Sequence, residues 1–189
     1  MSRRFGRCLV VAALPFMTLL GLGAPTTLHA QAASLSGEEL SNSAPGSYAF
    51  DFPCSSPGSY TVSFSVSGTA TGPYPGTFTE SGTLSYTINT PYGTSNSGTV
   101  TDFSATFVIT SGKTIVIGSK ALDPSGTPGT ISCGRHSGTA GFIVSEVPTT
   151  YTAAIATRRS TSTDAGTSIV DMSWDYTFGD VNSDFDENF

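Results

Sequence analysis

The chain has 189 residues, a formal net charge of -6 and only 12% charged residues, which is about half the usual share. The acidic balance excludes nucleic acid and anionic lipid as partners, because neither phosphate surface would attract the chain. The length suits a single domain with a sizeable core.

The first 32 residues predict an export signal. A cluster of arginines precedes an apolar run at 8–22 that is too short to span a membrane, and the small-x-small motif AQA ends at Ala32. We expect cleavage after Ala32. The signal carries three of the eight basic residues and none of the fourteen acids, so the mature chain has a charge of 5 minus 14, or -9. We therefore expect a secreted or periplasmic protein that leaves the membrane after cleavage.

Apolar and polar residues alternate along most of the mature chain, and no segment shows a helical repeat. A period of two is the pattern of half-buried strands. In the segment 113–122 the alternating apolar residues are Ile115 and Ile117. We predict eight strands, at 47–53, 59–71, 76–89, 99–110, 113–122, 138–147, 149–158 and 166–178.

Short connections between these strands predict an all-β domain in antiparallel meander order. A half-buried meander must hide its apolar face and its edges, which a closed barrel or a two-sheet sandwich can do. We favour the barrel, because the strands are long and Trp174 follows both cysteines, unlike the order in immunoglobulin domains. The remaining parts are a linker at 33–46 before the domain (47–178) and an acidic flexible tail at 179–189.

The segment GPYPG, at 72–76, interrupts the strand pattern. Proline lacks a ladder donor, so the segment must be a hairpin tip, a bulge or an edge. One interpretation is a stiff turn whose Tyr74 ring packs on the rim of the domain. The alternative is a binding site in which Pro73 and Pro75 hold Tyr74 exposed for a ligand.

Two segments carry a resemblance to known proteins. GTATGPYPGTFTESGT (68–83), followed by the Thr- and Phe-rich FSATFVITSGKTIVIGSKAL (103–122), resembles a pattern of secreted bacterial β-domains that have no assigned activity. The resemblance implies an exported all-β domain and assigns no catalytic residue.

Two cysteines, Cys54 and Cys133, remain after export, and in an oxidising compartment an even pair indicates one disulfide. Such a bond would close a loop of about 80 residues and stabilise the fold by roughly 4 kcal/mol in the loop-closure estimate. A metal site is the alternative, but besides the two cysteines the mature chain offers only one histidine, His136, as a ligand.

Enzymatic motifs are absent from the sequence: it has no Gly-x-Ser-x-Gly elbow, no phosphate-binding glycine loop and no His-Glu-x-x-His. The run Arg135-His136-Ser137 is interpreted as a loop, because sequence neighbours rarely achieve the geometry of a catalytic pair. Glu80 and Glu146 are the only glutamates in predicted strands. A catalytic carboxylate pair formed by them is the enzymatic alternative.

Residues with oxygen-bearing side chains alternate in the C-terminal segment at Asp180, Asn182, Asp184 and Asp186, as at the start of a calcium loop. Phe185 occupies the position of the turn glycine, and no twelfth-position glutamate follows. We therefore expect a flexible tail, with a weak calcium site as the alternative.

These observations predict a secreted, non-enzymatic β-domain with a binding or structural role outside the cell or at its surface. No cofactor is expected, and a cell-surface or carbohydrate partner fits the composition. The alternatives are an extracellular hydrolase on a barrel, with carbohydrate as a candidate substrate, and a carrier that holds a small apolar ligand inside the barrel.

Overall fold

The alternation of apolar and polar residues corresponds to β-strands over most of the residues that the structure describes. The computed structural model describes residues 34–42, 47–49, 56–89, 96–136, 139–177 and 180–189, and these residues contain no helix. The all-β prediction is confirmed. The strands in the described residues are β1 (Glu39–Asn42), β2 (Ser47–Ala49), β3 (Gly58–Thr71), β4 (Gly76–Ile88), β5 (Asn96–Ser111), β6 (Thr114–Leu122), β7 (Thr130–His136), β8 (Thr139–Ala156), β9 (Thr161–Thr177) and β10 (Asp180–Asn188).

All strand pairs are antiparallel and belong to one sheet, which closes on itself as a ring of eight strands. The order around the ring is β1, β10, β9, β8, β6, β5, β4 and β3, and β3 pairs again with β1. β2 pairs with β3 outside this path. Closure removes the free edges that a meander would otherwise present to solvent.

Strands β6 and β7 share one place in the ring. The second half of β5 pairs with β6, and its first residues pair with β7. In the same way β8 pairs with β7 through its first half and with β6 through its second half. The two shorter strands therefore lie one after the other between two long ones.

Strand β8 corrects the prediction of two separate strands at 138–147 and 149–158. It is continuous, with a register shift between Val144 and Val147, where Glu146 has a φ of 56°. A bulge inserts an unpaired residue and bends the strand without ending it. Pro148 follows the bulge and pairs with Ile169 of β9.

Three further strands occupy segments that we had predicted to be irregular. β1 lies in the predicted linker, β7 includes the predicted loop residues Arg135 and His136, and β10 replaces the predicted flexible tail. Each gains backbone hydrogen bonds on two sides, β1 from β10 and β3, β7 from β5 and β8, and β10 from β9 and β1. Pairing on both sides compensates for the weak apolar pattern of these segments.

Strand β6 faces the opposite way from its prediction. Ile115 and Ile117 are 45% and 56% exposed, whereas Val116 is fully buried. Gly118 and Lys120 share the inward face with Val116, since alternate residues point to one side of a strand. A lysine thus enters the interior of the ring.

Aromatic and aliphatic side chains from the described strands pack the interior. Phe78 lies 5.7 Å from Phe185, measured between ring centroids, and Phe64 lies 5.6 Å from Phe103. The Phe107 ring lies against the backbone of Gly118, where an added Cβ would come within 2.3 Å of the ring. This packing is continuous with the core cluster that includes Val144, Val170 and Met172.

Within the described residues, no helix is long and apolar enough to cross a lipid bilayer. The predicted export signal and Cys54 lie outside the described residues. Export and the Cys54–Cys133 disulfide therefore stay predictions, and Cys133 itself is buried on β7.

Candidate functional site

Three charged side chains from separate strands meet inside the ring: Glu80 of β4, Lys120 of β6 and Glu187 of β10. We call them the charged cluster. Glu80 shares the inward face of its strand with Phe78 and Leu84, and Glu187 shares its face with Phe185. Strand alternation thus carries all three side chains into the interior.

Lys120 is bound by both carboxylates of the charged cluster. Its Nζ donates to Glu80 Oε2 at 2.5 Å and also to Glu187 Oε2, and all three side chains have no solvent exposure. The Phe107 and Phe189 ring centroids lie 4.5 and 4.8 Å from Nζ. Lys120 Nζ is therefore enclosed by two carboxyl groups and by two aromatic faces, and aromatic faces attract a cation.

The protonation of the charged cluster follows from its burial. Desolvation raises the pKa of Glu80 to about 8; the positive charge of Lys120 opposes this shift, and the charge of Glu187 and a hydrogen bond with it add to it. Glu80 therefore holds a proton at neutral pH. A neutral carboxyl group costs less free energy to bury than a carboxylate does.

The carboxylate pair that we predicted as an enzymatic alternative is not formed. Glu80 is 1% exposed, as its strand parity suggested, but Glu146 is exposed on the β8 bulge, where its N–H donates to Asp171 Oδ1 at 2.8 Å. The bulge turns Glu146 away from the interior. Glu80 instead meets a different glutamate, Glu187, from a segment that we had predicted to be flexible.

The Tyr74 turn connects β3 and β4 at one end of the ring. Gly72 has a φ of 126°, and an added Cβ there would lie 2.4 Å from the Gly37 carbonyl oxygen, so only glycine fits. The Tyr74 N–H donates to Glu38 Oε2 at 2.7 Å, and the ring packs half-buried against the core. Pro73 and Pro75 are exposed.

Two acidic side chains, Glu38 and Asp164, accept hydrogen bonds at the end of the ring where the Tyr74 turn lies. Glu38 is 1% exposed, and burial raises its pKa, against the lowering effect of the Tyr74 N–H. Asp164 accepts hydrogen bonds from the Leu35 N–H at 2.7 Å and from the Tyr151 hydroxyl at 2.9 Å. The pKa of the Tyr74 phenol is raised, first by burial and then by the charges of Asp164 and Glu38. These contacts indicate that the turn holds the N-terminal segment in place.

Replacing Tyr74 by alanine tests the two interpretations of the turn. We expect Tyr74→Ala to lower the free energy of unfolding by about 1 to 2 kcal/mol, because it exposes the core that the half-buried ring covers. Tyr74→Phe is the matched control and keeps most of the stability, since it retains the ring. Thermal and urea unfolding measure both. An unchanged melting temperature for Tyr74→Ala would instead favour a recognition role.

The predicted calcium segment is an extended strand. Alternate residues of a strand share a face, so Asp184 and Asp186 lie opposite to the buried Phe185 and Glu187, on the outer face of the ring. A calcium loop must instead wrap its ligands around the ion. Among the side chains that the structure describes, no group of three or more His, Cys, Asp or Glu is arranged to hold a metal. The side chains of Asp180 and Asn182 are not among them.

The outer face of the sheet carries a groove of about 820 Å³ across β5, β6, β8 and β9. Ile117, Thr152, Ala154 and Thr163 are among its lining residues, and Ile117 is 56% exposed. Small and hydroxyl-bearing side chains make this surface shallow and uncharged apart from Asp164. It is accessible to solutes, unlike the charged cluster.

Comparison of the chain with protein-family models, curated proteins and solved structures found no match. The resemblance of segments 68–83 and 103–122 to secreted bacterial β-domains therefore stays a prediction.

Sequence reasoning missed Lys120, Glu187 and Glu38. Lys120 gave no signal of its own, because Ile115 and Ile117 dominate the apolar pattern of its strand. For Glu187 a signal was present: Phe185 and Phe189 alternate with it, which is a short period-two pattern inside an acidic segment.

Proposed function

We propose that this chain is a secreted, non-enzymatic β-domain with a binding or structural role outside the cell or at its surface. The observation that carries the proposal is the burial of its chemically active groups. Glu80, Lys120 and Glu187 have no solvent exposure, so a dissolved substrate has no route to them in the closed ring.

The two alternatives receive less support. A glycoside hydrolase needs its carboxyl groups on either side of a substrate bond in an open cleft. A carrier needs interior volume, whereas large side chains such as Phe78, Phe103 and Phe107 are buried in the ring interior. Interior packing of this kind favours a domain that acts through its outer surface.

The outer face has the chemistry of a neutral, hydroxyl-rich surface. Neighbouring strands pair their hydroxyl groups across it, as in Thr61 with Ser85 at 2.9 Å and Ser119 with Thr152 at 3.3 Å. Such groups both donate and accept hydrogen bonds. A polysaccharide or another uncharged surface polymer is the partner class that this face suits best.

Co-sedimentation with envelope polysaccharide from the source cells tests the proposal. We expect the mature chain to be retained and Ile117→Asp, in the groove, to lower retention severalfold. Ile143→Asp is the matched control, because Ile143 is 57% exposed but lies outside the groove. Equal retention of both variants would contradict a role for the groove.

Two further measurements separate the proposal from its alternatives. Release of sugars from the polysaccharide that Glu80→Gln abolishes would establish a hydrolase and overturn the proposal. A small apolar molecule found by native mass spectrometry on the purified protein would establish a carrier, with the same consequence.

A further inference from the structure

We propose that Lys120 and Glu187 form an intramolecular amide bond that covalently joins β6 to β10, with Glu80 transferring the protons. The proposal concerns a modification of the chain itself and does not depend on any partner. It rests on the placement of one amine and two carboxyl groups in contact within a sealed interior.

The reacting groups are already in contact. Lys120 Nζ donates to Glu187 Oε2 and, at 2.5 Å, to Glu80 Oε2. Holding an amine against a carboxyl group turns a bimolecular encounter into a unimolecular step. This positioning removes a large part of the activation barrier of such a condensation. The strands that carry the groups are fixed by pairing on both sides, so the groups cannot drift apart.

The surroundings keep water away from the reacting groups. The side chains of Lys120, Glu80 and Glu187 have no solvent exposure, and Phe107 and Phe189 cover the amine. Exclusion of water protects an amide product from hydrolysis. A desolvated lysine amine is a competent nucleophile.

One oxygen of each carboxyl group in the charged cluster is free to take part in proton transfer. Glu80 Oε1 and Glu187 Oε1 are buried and have no hydrogen-bond partner. Glu80 and Glu187 meet at Lys120 Nζ, and burial raises the pKa of Glu80 so that it carries a proton at neutral pH. A protonated carboxyl group next to the Glu187 carboxyl can donate to the oxygen that must leave.

The reaction balances without an oxidant, a reductant or a cofactor. The Lys120 ammonium first passes a proton to the Glu187 carboxylate, which gives a neutral amine and a neutral acid. The Nζ lone pair then attacks Glu187 Cδ while Glu80 protonates the carbonyl oxygen, and Nζ returns a proton to Glu80. Glu80 next protonates one of the two hydroxyl groups on Cδ, the Cδ–O bond to that group breaks and water leaves, and the remaining hydroxyl gives its proton back to Glu80. The amide and a protonated Glu80 remain.

Intact mass of the secreted, reduced protein is the direct test. We expect a mass lower than that of the processed sequence by one water molecule. Trypsin should then yield a branched product in which 114–135, uncut at Lys120, is joined to 160–189. A wild-type mass equal to the sequence mass would overturn the proposal, whatever the behaviour of any variant.

Variants assign the bond. Lys120→Arg keeps the charge but removes the amine nucleophile, so it should retain the full mass, and Lys113→Arg, at an exposed position, should still lose water. Glu80→Gln should slow or prevent the loss. A water loss that persists in Lys120→Arg, or a branch that maps to Glu80, would overturn the assignment to Lys120 and Glu187.

Discussion

Lys120→Met should lower the free energy of unfolding by about 3 to 5 kcal/mol or more: this is the range for removing one partner of a buried ion pair, and loss of the proposed amide bond to Glu187 adds to it. The substitution preserves most of the side-chain volume, so packing changes little. It leaves Glu80 and Glu187 against each other with no cation, at zero exposure. Urea unfolding at neutral pH, followed by tyrosine fluorescence or circular dichroism, measures the loss.

Two comparisons isolate the charge effect. Lys113→Met removes a lysine from an exposed position and should change stability by less than about 0.5 kcal/mol. The triple variant Glu80→Leu, Lys120→Met, Glu187→Leu removes all three polar groups, and it should recover much of the loss because no buried charge is left unpaired. A Lys120→Met protein as stable as the wild type would contradict the structure of the charged cluster.

Phe185→Ala should also cost about 3 to 5 kcal/mol, the usual range for deleting a buried phenylalanine ring. Phe185 is fully buried, and its ring centroid lies 5.7 Å from that of Phe78 and 6.4 Å from that of Phe64. β10 closes the ring between β9 and β1, so a loss of stability from Phe185→Ala would show that this strand is part of the folded core.

Asp184→Ala is the matched control for β10. Asp184 is the neighbouring residue on the outer face and is exposed, so its removal should change stability by less than about 0.5 kcal/mol. If Phe185→Ala and Asp184→Ala were equally harmless in urea unfolding, the segment would behave as the flexible tail that its acidic composition predicted.

The interior faces of the long strands could be predicted from the sequence. Val62, Phe64 and Val66 alternate with serines, and all three are buried. Phe103 and Phe107 follow the same pattern on β5. In these strands each apolar residue on one face has a polar neighbour on the other, so the local pattern and the burial agree.

The candidate site could be predicted only in part. The spacing of Glu80 from Phe78 favours an inward side chain and the adjacent Ser81-Gly82 an outward one, so the sequence leaves its face open. Its partners Lys120 and Glu187 are 40 and 107 positions further along the chain. The apolar pattern of β6 indicated the wrong face, because Ile115 and Ile117 are more apolar than Gly118 and Lys120, the residues that enter the interior with Val116. Hydropathy describes one residue at a time, whereas the burial of a charge depends on whether an opposite charge reaches it.

The sequence by itself determined that the protein is all-β, which residues of most long strands face the core, and where the proline-rich turn lies. These properties follow from local alternation and from the backbone limits of glycine and proline. Only the tertiary structure decided the closure of the ring, because β1 and β10 are held by hydrogen bonds to each other and to distant strands rather than by their own apolar pattern. It also decided the face of β6, since Lys120 is stable inside only where Glu80 and Glu187 meet it.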